Sequence, residues 1–385
     1  MKRTNGWLGV GLLTIGAIVV GVLLGEAALR FFYPQQLGVW HQDRNGLALH
    51  WPGLVTYLPQ FGITASFNSV GMRDREHAGR KPEGVFRVLV LGDSFMEALQ
   101  VPFEKSLPSL MERALNERSG RRVEVVNASV SGWGTDDELQ YLTRYGMQLK
   151  PDLILLVMTL HNDISDNLRQ QFHTIRNGAL VEQPPPGGSA FRYELLQLKA
   201  FLATRSHTYQ LLLRARRARE VRDTASQLRS HVVELFMPSD TAQISRGLEL
   251  TALLLERVQT LASSERSRVV VVLLPLVMQL SDERFAAFSR SASGSARDLE
   301  IDKPQRMMKR VGDRLRLTMI DLLPGFRDWT VRGGRALYLE RDGHWNEEGH
   351  RLAADIVVHE LMNRHVMTGE YADSRATFRR VQRTE

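Results

Sequence analysis

The sequence has no cysteine among its 385 residues, which excludes disulfide scaffolds, thiolate metal sites and cysteine nucleophiles. This absence leaves the compartment open, because a core of this size needs no disulfide even in an oxidising space. Lysine is also scarce, with only seven among the 50 basic residues, so arginine carries the net charge of +7. Hydrophobic residues make up 43% and charged residues 24%, which excludes a disordered chain, a collagen-like fibre and a polytopic membrane protein.

One long uncharged run lies near the N-terminus, at residues 7–25. A helix of that length reaches roughly 28 Å, about the thickness of a hydrocarbon core. Lys2 and Arg3 precede the run, and the basic side of a membrane segment stays in the cytoplasm. We therefore predict a single-pass anchor within residues 1–32 and export of everything after it. A cleaved signal peptide is the alternative, although its apolar stretch is usually only about 7–15 residues long.

Positive charge is concentrated between Arg205 and Arg222, where six arginines accompany one acid, Glu220. Such a cluster can meet an anionic lipid or an anionic polymer, and a solvated helix face is the plain alternative. No zinc-finger spacing, aromatic nucleic-acid signature or Walker loop accompanies it, which argues against nucleic acid as a partner.

Short apolar runs alternate with helix-like stretches along the chain. Five runs are apolar on both faces, as strands buried between two helical layers must be. They are residues 86–91, 123–126, 153–158, 269–274 and 317–322. This alternation predicts a three-layer α/β/α domain around a central parallel sheet.

The spacing of the runs sets the predicted domain boundaries. About 110 residues separate the third and fourth runs, against about 30 elsewhere, which predicts a largely helical insertion at 166–265 with leucines three and four residues apart. The main domain is then 85–365. Residues 33–84 are expected to form a linker and an edge extension packed on it, and 366–385 a flexible basic tail.

Polar residues follow the predicted strands at the edge where ligands bind in open parallel sheets. Ser94 follows the first run, Gly132 the second, and His161 with Asn162 the third. Asp342 and His344 lie past the fifth run, two residues apart, so their side chains can point to the same side of an extended segment.

These residue types fit acyl transfer through a serine. A serine hydroxyl needs a base to take its proton, and His344 is the expected base, held in orientation by the Asp342 carboxylate. A tetrahedral intermediate needs hydrogen-bond donors, which the Ser94 and Gly132 backbone N–H groups and the Asn162 amide can supply. We leave His161 open between a substrate contact and a bulky residue with no role. No metal or cofactor is predicted.

Ser94, Gly132, Asn162 and His344 together resemble the signature of the SGNH/GDSL hydrolase superfamily. The resemblance covers about 85–165 and 266–362, and it implies a flavodoxin-like fold. Residues 68–74 are similar to a stretch in membrane-anchored members. His161 departs from the glycine common before the asparagine, and the Asp-x-His-Trp ending is similar to that of alginate O-acetylation proteins.

The resemblance implies a serine esterase anchored in the bacterial inner (cytoplasmic) membrane, with its N-terminus in the cytoplasm and its catalytic domain in the periplasm or outside. Its expected substrate is an acyl, above all acetyl, ester of a carbohydrate or lipid. An O-acetyltransferase acting on an envelope or secreted polysaccharide would use the same residues and is the second hypothesis. A polysaccharide-binding module without catalysis is the third, and the intact signature argues against it.

Overall fold

The computed structural model describes residues 4–169, 171–184, 190–216, 232–292 and 298–367. They form two compact units, each made of two chain segments. The anchor unit comprises the described residues of Met1–Arg75 and Pro184–Val232, and the sheet unit those of Glu76–Gln183 and Val233–Glu385. The division therefore falls at Arg75, inside the segment 33–84 that the sequence suggested as one extension.

The strands, in chain order, are β1 (Trp40–Gln42), β2 (Ala48–His50), β3 (Val55–Leu58), β4 (Ile63–Ser66), β5 (Phe86–Gly92), β6 (Val123–Asn127), β7 (Leu153–Thr159), β8 (His173–Arg176), β9 (Ala179–Glu182), β10 (Arg268–Leu274) and β11 (Thr318–Asp321). The helices are α1 (Thr4–Phe32), α2 (Ser94–Glu97), α3 (Leu107–Arg118), α4 (Thr135–Arg144), α5 (Leu160–Asn167), α6 (Ala190–Arg205), α7 (Ala242–Ser264), α8 (Asp282–Ser291), α9 (Lys303–Leu315), α10 (Leu323–Val331) and α11 (Glu347–Asn363). Residues 207–216 are also helical.

The sheet unit is built on five parallel strands in the order β11-β10-β7-β5-β6. Counted along the chain, this is the flavodoxin-like order 2-1-3-4-5. Each strand overlaps one of the apolar runs, so the predicted fold class is confirmed. The order also brings the ends of β5, β6 and β7 side by side, where the predicted site residues lie.

Both faces of the sheet are covered. Leu153, Leu155 and Val157 of β7 belong to one core cluster with residues of α3 and α11. The alternate residues Ile154 and Leu156 point to the other face and are equally buried. Helix α7 packs on α4, α5 and β10. Apolar burial on both faces is the reason that these strands read as continuous hydrophobic runs.

A hairpin that the sequence analysis did not identify lies between β7 and α7. Strands β8 and β9 pair antiparallel around Asn177 and Gly178, whose φ angles of 52° and 75° suit the tight turn favoured in hairpins. Asp136 of α4 fixes the hairpin to the sheet unit. Its carboxylate accepts hydrogen bonds from the backbone N–H groups of Phe172 and His173, and the His173 ring lies 2.6 Å away.

The anchor unit contains α1, two hairpins and α6. Strand β1 pairs with β2 and β3 with β4, both antiparallel, and α6 packs on β1. Within α1, Gly9–Phe32 is long and apolar enough to cross a membrane, with a mean hydropathy of 2.3 and no burial inside the protein. A signal sequence near the N-terminus can pass the same test of length and composition.

Several predicted features fall outside the described residues. These are Lys2, Arg3, Arg217, Arg219 and Arg222, with the acid Glu220, and residues 368–385 of the expected tail. The start of that tail was placed too early. Val366 and Met367 are buried in the core cluster of the sheet unit, because these two apolar side chains continue the packing of α11.

Candidate active site

The turn after β5 presents Ser94 as the first residue of the short helix α2. Asp93 caps this helix, and its Oδ1 accepts a hydrogen bond from the Phe95 backbone N–H at 3.0 Å. Gly92 allows the tight approach that the turn requires. A Cβ there would lie 2.8 Å from Met96 Cγ and 3.2 Å from the Val157 carbonyl oxygen, so a larger residue would push the turn away from the sheet.

Ser94, His344 and Asp342 form a continuous chain of hydrogen bonds. The Ser94 Oγ lies 2.7 Å from His344 Nε2, and His344 Nδ1 lies 2.6 Å from Asp342 Oδ1. Because the carboxylate can only accept, Nδ1 carries the proton and Nε2 accepts from the serine hydroxyl. This arrangement can move the serine proton to the imidazole and stabilise the imidazolium that results.

The segment carrying His344 is held by backbone and aromatic contacts. Its carbonyl accepts from the Leu339 N–H at 2.8 Å, and Tyr338 and Trp345 form a β-bridge. The Phe95 ring lies 4.8 Å from the His344 ring. The next residue, Trp345, is fully buried, and its ring contacts those of Phe95 and Phe326, so it ties this segment to the core.

Gln100 is a site residue that sequence reasoning missed. Its side chain hydrogen-bonds the Asp342 carboxylate. Burial opposes ionisation of Asp342, but the hydrogen bonds from His344 and Gln100 outweigh it and hold the pKa of Asp342 below its ordinary value. Asp342 is therefore anionic at neutral pH, as an orienting carboxylate must be. Gln100 lies in a loop with no pattern that signals a site.

The oxyanion-hole residues expected from the sequence lie on neighbouring elements. Gly132 is an exposed residue in the loop after β6 and has a φ of 80°, a conformation that residues with a Cβ rarely adopt. Asn162 lies in the first turn of α5, and its Nδ2 donates to Asp93 Oδ2 at 3.3 Å. Asn162 is thereby held beside the residue preceding Ser94, and its second amide hydrogen is not used by that bond.

His161 lies next to Asn162 in a largely buried position. Burial lowers the pKa of His161 to about 4, with a further contribution from the nearby His344. Its Nδ1 has no hydrogen-bond partner among the described residues. His161 is therefore a neutral imidazole close to His344.

Three buried carboxyl groups lie beneath the site, on Asp93, Glu138 and Asp163. Burial raises the pKa of Glu138 well above its usual value, and the neighbouring Asp93 raises it further. Burial and the charges of Glu138 and Asp93 raise the pKa of Asp163 in the same way. Both Glu138 carboxyl oxygens lack a hydrogen-bond partner among the described residues. Among the described residues, no group of three or more His, Cys, Asp or Glu side chains could hold a metal ion.

The buried Glu138 predicts a pH-dependent stability. In the folded protein it keeps its proton well above the unfolded pKa of about 4.3, so folding takes up a proton. Its contribution is present below that pH and is lost as the pH rises toward the folded pKa. Glu138→Gln removes the titration, and its melting temperature relative to wild type should rise from pH 5 to pH 8. The surface variant Glu117→Gln serves as the control, and a constant difference for Glu138→Gln would contradict the prediction.

The comparison with protein families decides the assignment. Residues 90–352 match the family model described as the GDSL-like lipase/acylhydrolase family, which is more than half of the chain. The chain belongs to the GDSL-like lipase/acylhydrolase family. The resemblance inferred from the residues at the ends of the strands is confirmed.

One relative matches a shorter stretch of the chain than the family model does. An arylesterase of Vibrio mimicus is 46% identical over 70 residues, covering 18% of this chain and 34% of that enzyme. The chain thus spans about a third of that relative's length. Similar solved structures include LAE5, an alpha/beta hydrolase from the metagenome of Lake Arreo, Spain, and the acetyl xylan esterase AlAXEase. Each is 14% identical with a TM-score of 0.40. The first covers 71% of this chain and 94% of its own, the second 72% and 100%.

Proposed function

We propose that this enzyme is an exported, membrane-anchored serine esterase that removes an acyl group, above all acetyl, from a carbohydrate or lipid. The observation that carries the proposal is the chain of hydrogen bonds from Asp342 through His344 to the Ser94 hydroxyl. A serine so placed has a base for its proton and a carboxylate that fixes the tautomer of that base.

The proposed reaction proceeds in two steps. The Ser94 Oγ attacks the ester carbonyl carbon while His344 Nε2 takes the hydroxyl proton. The tetrahedral intermediate expels the alcohol, which receives that proton, and the acyl group stays on Ser94. Water then attacks the acyl-enzyme with His344 as base, releasing the carboxylic acid and restoring the serine. Asp342 remains an anion throughout, in keeping with its lowered pKa.

The oxyanion of both intermediates needs donors that are already in place. We assign this role to the backbone N–H groups of Ser94 and Gly132 and to the free hydrogen of the Asn162 amide. Asn162 suits the role because the capping residue Asp93 holds it at 3.3 Å. A single donor of this kind contributes roughly 2.7–4 kcal/mol to transition-state stabilisation.

A transferase is the second candidate, because the Asp342-x-His344-Trp345 ending is similar to that of O-acetylation proteins. In that case a sugar hydroxyl replaces water in the second step. Burial of Trp345 gives this residue a packing role in either reaction, so it does not select the acceptor. Hydrolysis is the simpler proposal, since the arylesterase relative supports an ester as substrate.

The test offers the purified full-length enzyme an acetyl ester with and without acetylatable polysaccharide. Hydrolysis predicts free acetate at the same rate in both reactions. Transfer predicts that acetate release falls and acetylated polysaccharide appears in its place. If neither free acetate nor acetylated polysaccharide forms, the chain is a binding module without catalysis and the proposal is wrong.

The proposed location is the bacterial inner membrane, with α1 as the anchor and the sheet unit on the outer side. The apolar character of Gly9–Phe32 and the basic residues before it support this orientation. We further propose that the arginines of 205–222 face lipid headgroups or an anionic polymer. Of these, Arg205, Arg214 and Arg216 lie in the described residues and are exposed.

A further inference from the structure

Helix α6 has two distinct faces, and the apolar one is exposed. Tyr193, Gln197, Ala200 and Thr204 recur at spacings of four, three and four residues on the packed face. Gln197 Nε2 donates to the Gln42 carbonyl on β1, and Thr204 is buried. On the opposite face lie three exposed apolar residues at spacings of four and three. They are Phe191, Leu195 and Leu198, exposed by 77%, 39% and 52%.

An ordinary surface helix buries its large apolar residues, whereas these three apolar residues of α6 are exposed. Phe201 and, past the end of α6, Leu211 and Leu212 are also exposed. Four exposed cationic side chains and one exposed acid, Glu194, accompany these apolar residues. The cationic residues are Arg192, Lys199, Arg205 and Arg214. Apolar side chains bordered by cations are typical of helices that lie in the surface of a lipid bilayer.

The corner after α6 is joined to the proposed membrane helix. Glu26 of α1 accepts hydrogen bonds from the backbone N–H groups of His207 and Thr208 at 2.8 and 2.9 Å. It also accepts one from the Ser206 hydroxyl at 3.0 Å. Glu26 thereby caps the helical residues 207–216. Arg30, one turn further along α1, donates to the Arg205 carbonyl at 2.8 Å.

These contacts set the depth of the corner in the membrane. Glu26 is the first charged residue after the uncharged run 7–25, so it marks the end of the hydrocarbon region. It precedes the end of α1 at Phe32 by six residues, roughly 9 Å along the helix axis. The corner is therefore level with the lipid boundary and does not stand above it. Aromatic side chains at the end of α1, on Phe31, Phe32 and Tyr33, are also exposed, as in interfacial aromatic belts.

We propose that α6 is a second membrane contact. It lies along the outer surface of the bilayer that α1 crosses, with Phe191, Leu195 and Leu198 in lipid and Arg192 and Lys199 at the headgroups. The inference rests on the proposed anchor, because Glu26 and Arg30 set the depth of α6 only if α1 spans the membrane. Arg205 fits this position, since its guanidinium lies over the rings of Phe201 and Trp51 while the charge stays at the interface.

The absence of cysteine allows a direct test by single-site labelling. The full-length enzyme carries one introduced cysteine with a nitroxide label, at each position from 191 to 201 in turn. It is reconstituted in vesicles of phosphatidylethanolamine and phosphatidylglycerol. Collision of the label with oxygen, which concentrates in lipid, is compared with collision with a water-soluble nickel complex. The oxygen-to-nickel ratio should oscillate with the helical period of 3.6 residues, several-fold higher at 191, 195 and 198 than at 192 and 199.

Leu198→Cys and Lys199→Cys are the matched pair, since both side chains are exposed and adjacent. Equal ratios at these two positions would overturn the proposal. A high ratio at 198 that disappears when the enzyme is diluted into excess lipid would indicate a second copy of the chain instead of lipid. A ratio that changes only on adding an anionic polysaccharide would indicate a polymer. Either result also overturns the lipid contact.

Ile18→Cys, in the middle of α1, tests the proposed membrane anchor separately from the proposed lipid contact of α6. A label that meets nickel at this position refutes the anchor and the lipid contact together. Ester hydrolysis by the same preparation is measured in parallel, and it shows that each variant has folded. Because Phe191, Leu195 and Leu198 take no part in the proposed chemistry, hydrolysis should be unchanged even if the lipid contact is wrong.

Discussion

Ser94→Ala is expected to lower kcat for a small acetyl ester by about 10⁶-fold, the loss typical of removing a serine nucleophile. The hydroxyl supplies the bond-forming atom, and its hydrogen-bond partner is His344. The melting temperature should hardly change, because Ser94 is half-buried and its hydroxyl packs little. Steady-state hydrolysis and thermal unfolding of the same sample measure both effects.

Ser109→Ala in α3 is the matched control, since it removes the same atom from another partly buried helical serine. It should retain full activity. A serine-directed phosphonate should add its mass to the wild-type chain and to Ser109→Ala, and should leave Ser94→Ala unmodified. Near-normal hydrolysis by Ser94→Ala would mean that another group is the nucleophile.

His344→Ala is expected to cost about as much as Ser94→Ala, since a hydroxyl without its base is a poor nucleophile. Asp342→Asn should cost up to about 10⁴-fold, because an amide can hold the imidazole in the wrong tautomer. The three residues act as one unit, so the double variant Ser94→Ala with His344→Ala should be scarcely slower than either single one. If the losses of kcat in the two single variants multiply in the double variant, Ser94 and His344 do not act as one unit.

Two other histidines, both in α11, test whether the loss of activity is specific to His344. His359→Ala changes an exposed side chain and should leave both activity and stability unchanged. His350 is buried, its Nδ1 accepts from the Leu107 N–H at 3.3 Å, and its ring lies 5.5 Å from the Trp345 ring. His350→Ala should therefore lower the melting temperature, while the surviving folded enzyme keeps most of its turnover. If it were as inactive as His344→Ala when folded, the assignment of the base would be wrong.

The positions of the site residues could be predicted because they depend on local and topological rules. Buried parallel strands are written as apolar runs, and their carboxyl ends meet at one edge. The residues directly after those runs therefore predicted Ser94, Gly132 and Asn162 at one edge of the sheet. His344 and Asp342 followed from their spacing and the chemistry of a serine that lacks a base.

Other features could not be read from the sequence because they depend on long-range packing. Glu138 lies in a helix segment rich in acids, and polar residues in such a segment are normally expected at the surface. Its burial follows from the packing of α4 against α5 and α7. Gln100 reaches Asp342 across more than two hundred residues of chain. The hairpin β8–β9 did carry a signal, since Asn177-Gly178 is a strong hairpin dipeptide, but the leucine spacing further along favoured helix.

The pairing of β7 with β10 has a consequence for how the chain folds. Leu153 and Arg268 are register partners, yet roughly 115 residues separate them, and closing that loop costs only about 1 kcal/mol more than closing one of about 30 residues. Final stability therefore tolerates the long excursion, but its effect on folding speed is larger. As the chain emerges in order, β5, β6 and β7 are complete while β10 is still to come. During that interval one edge of β7 is unpaired, although all seven of its residues are buried in the folded protein. Newly made chains aggregate through unpaired apolar edges of this kind.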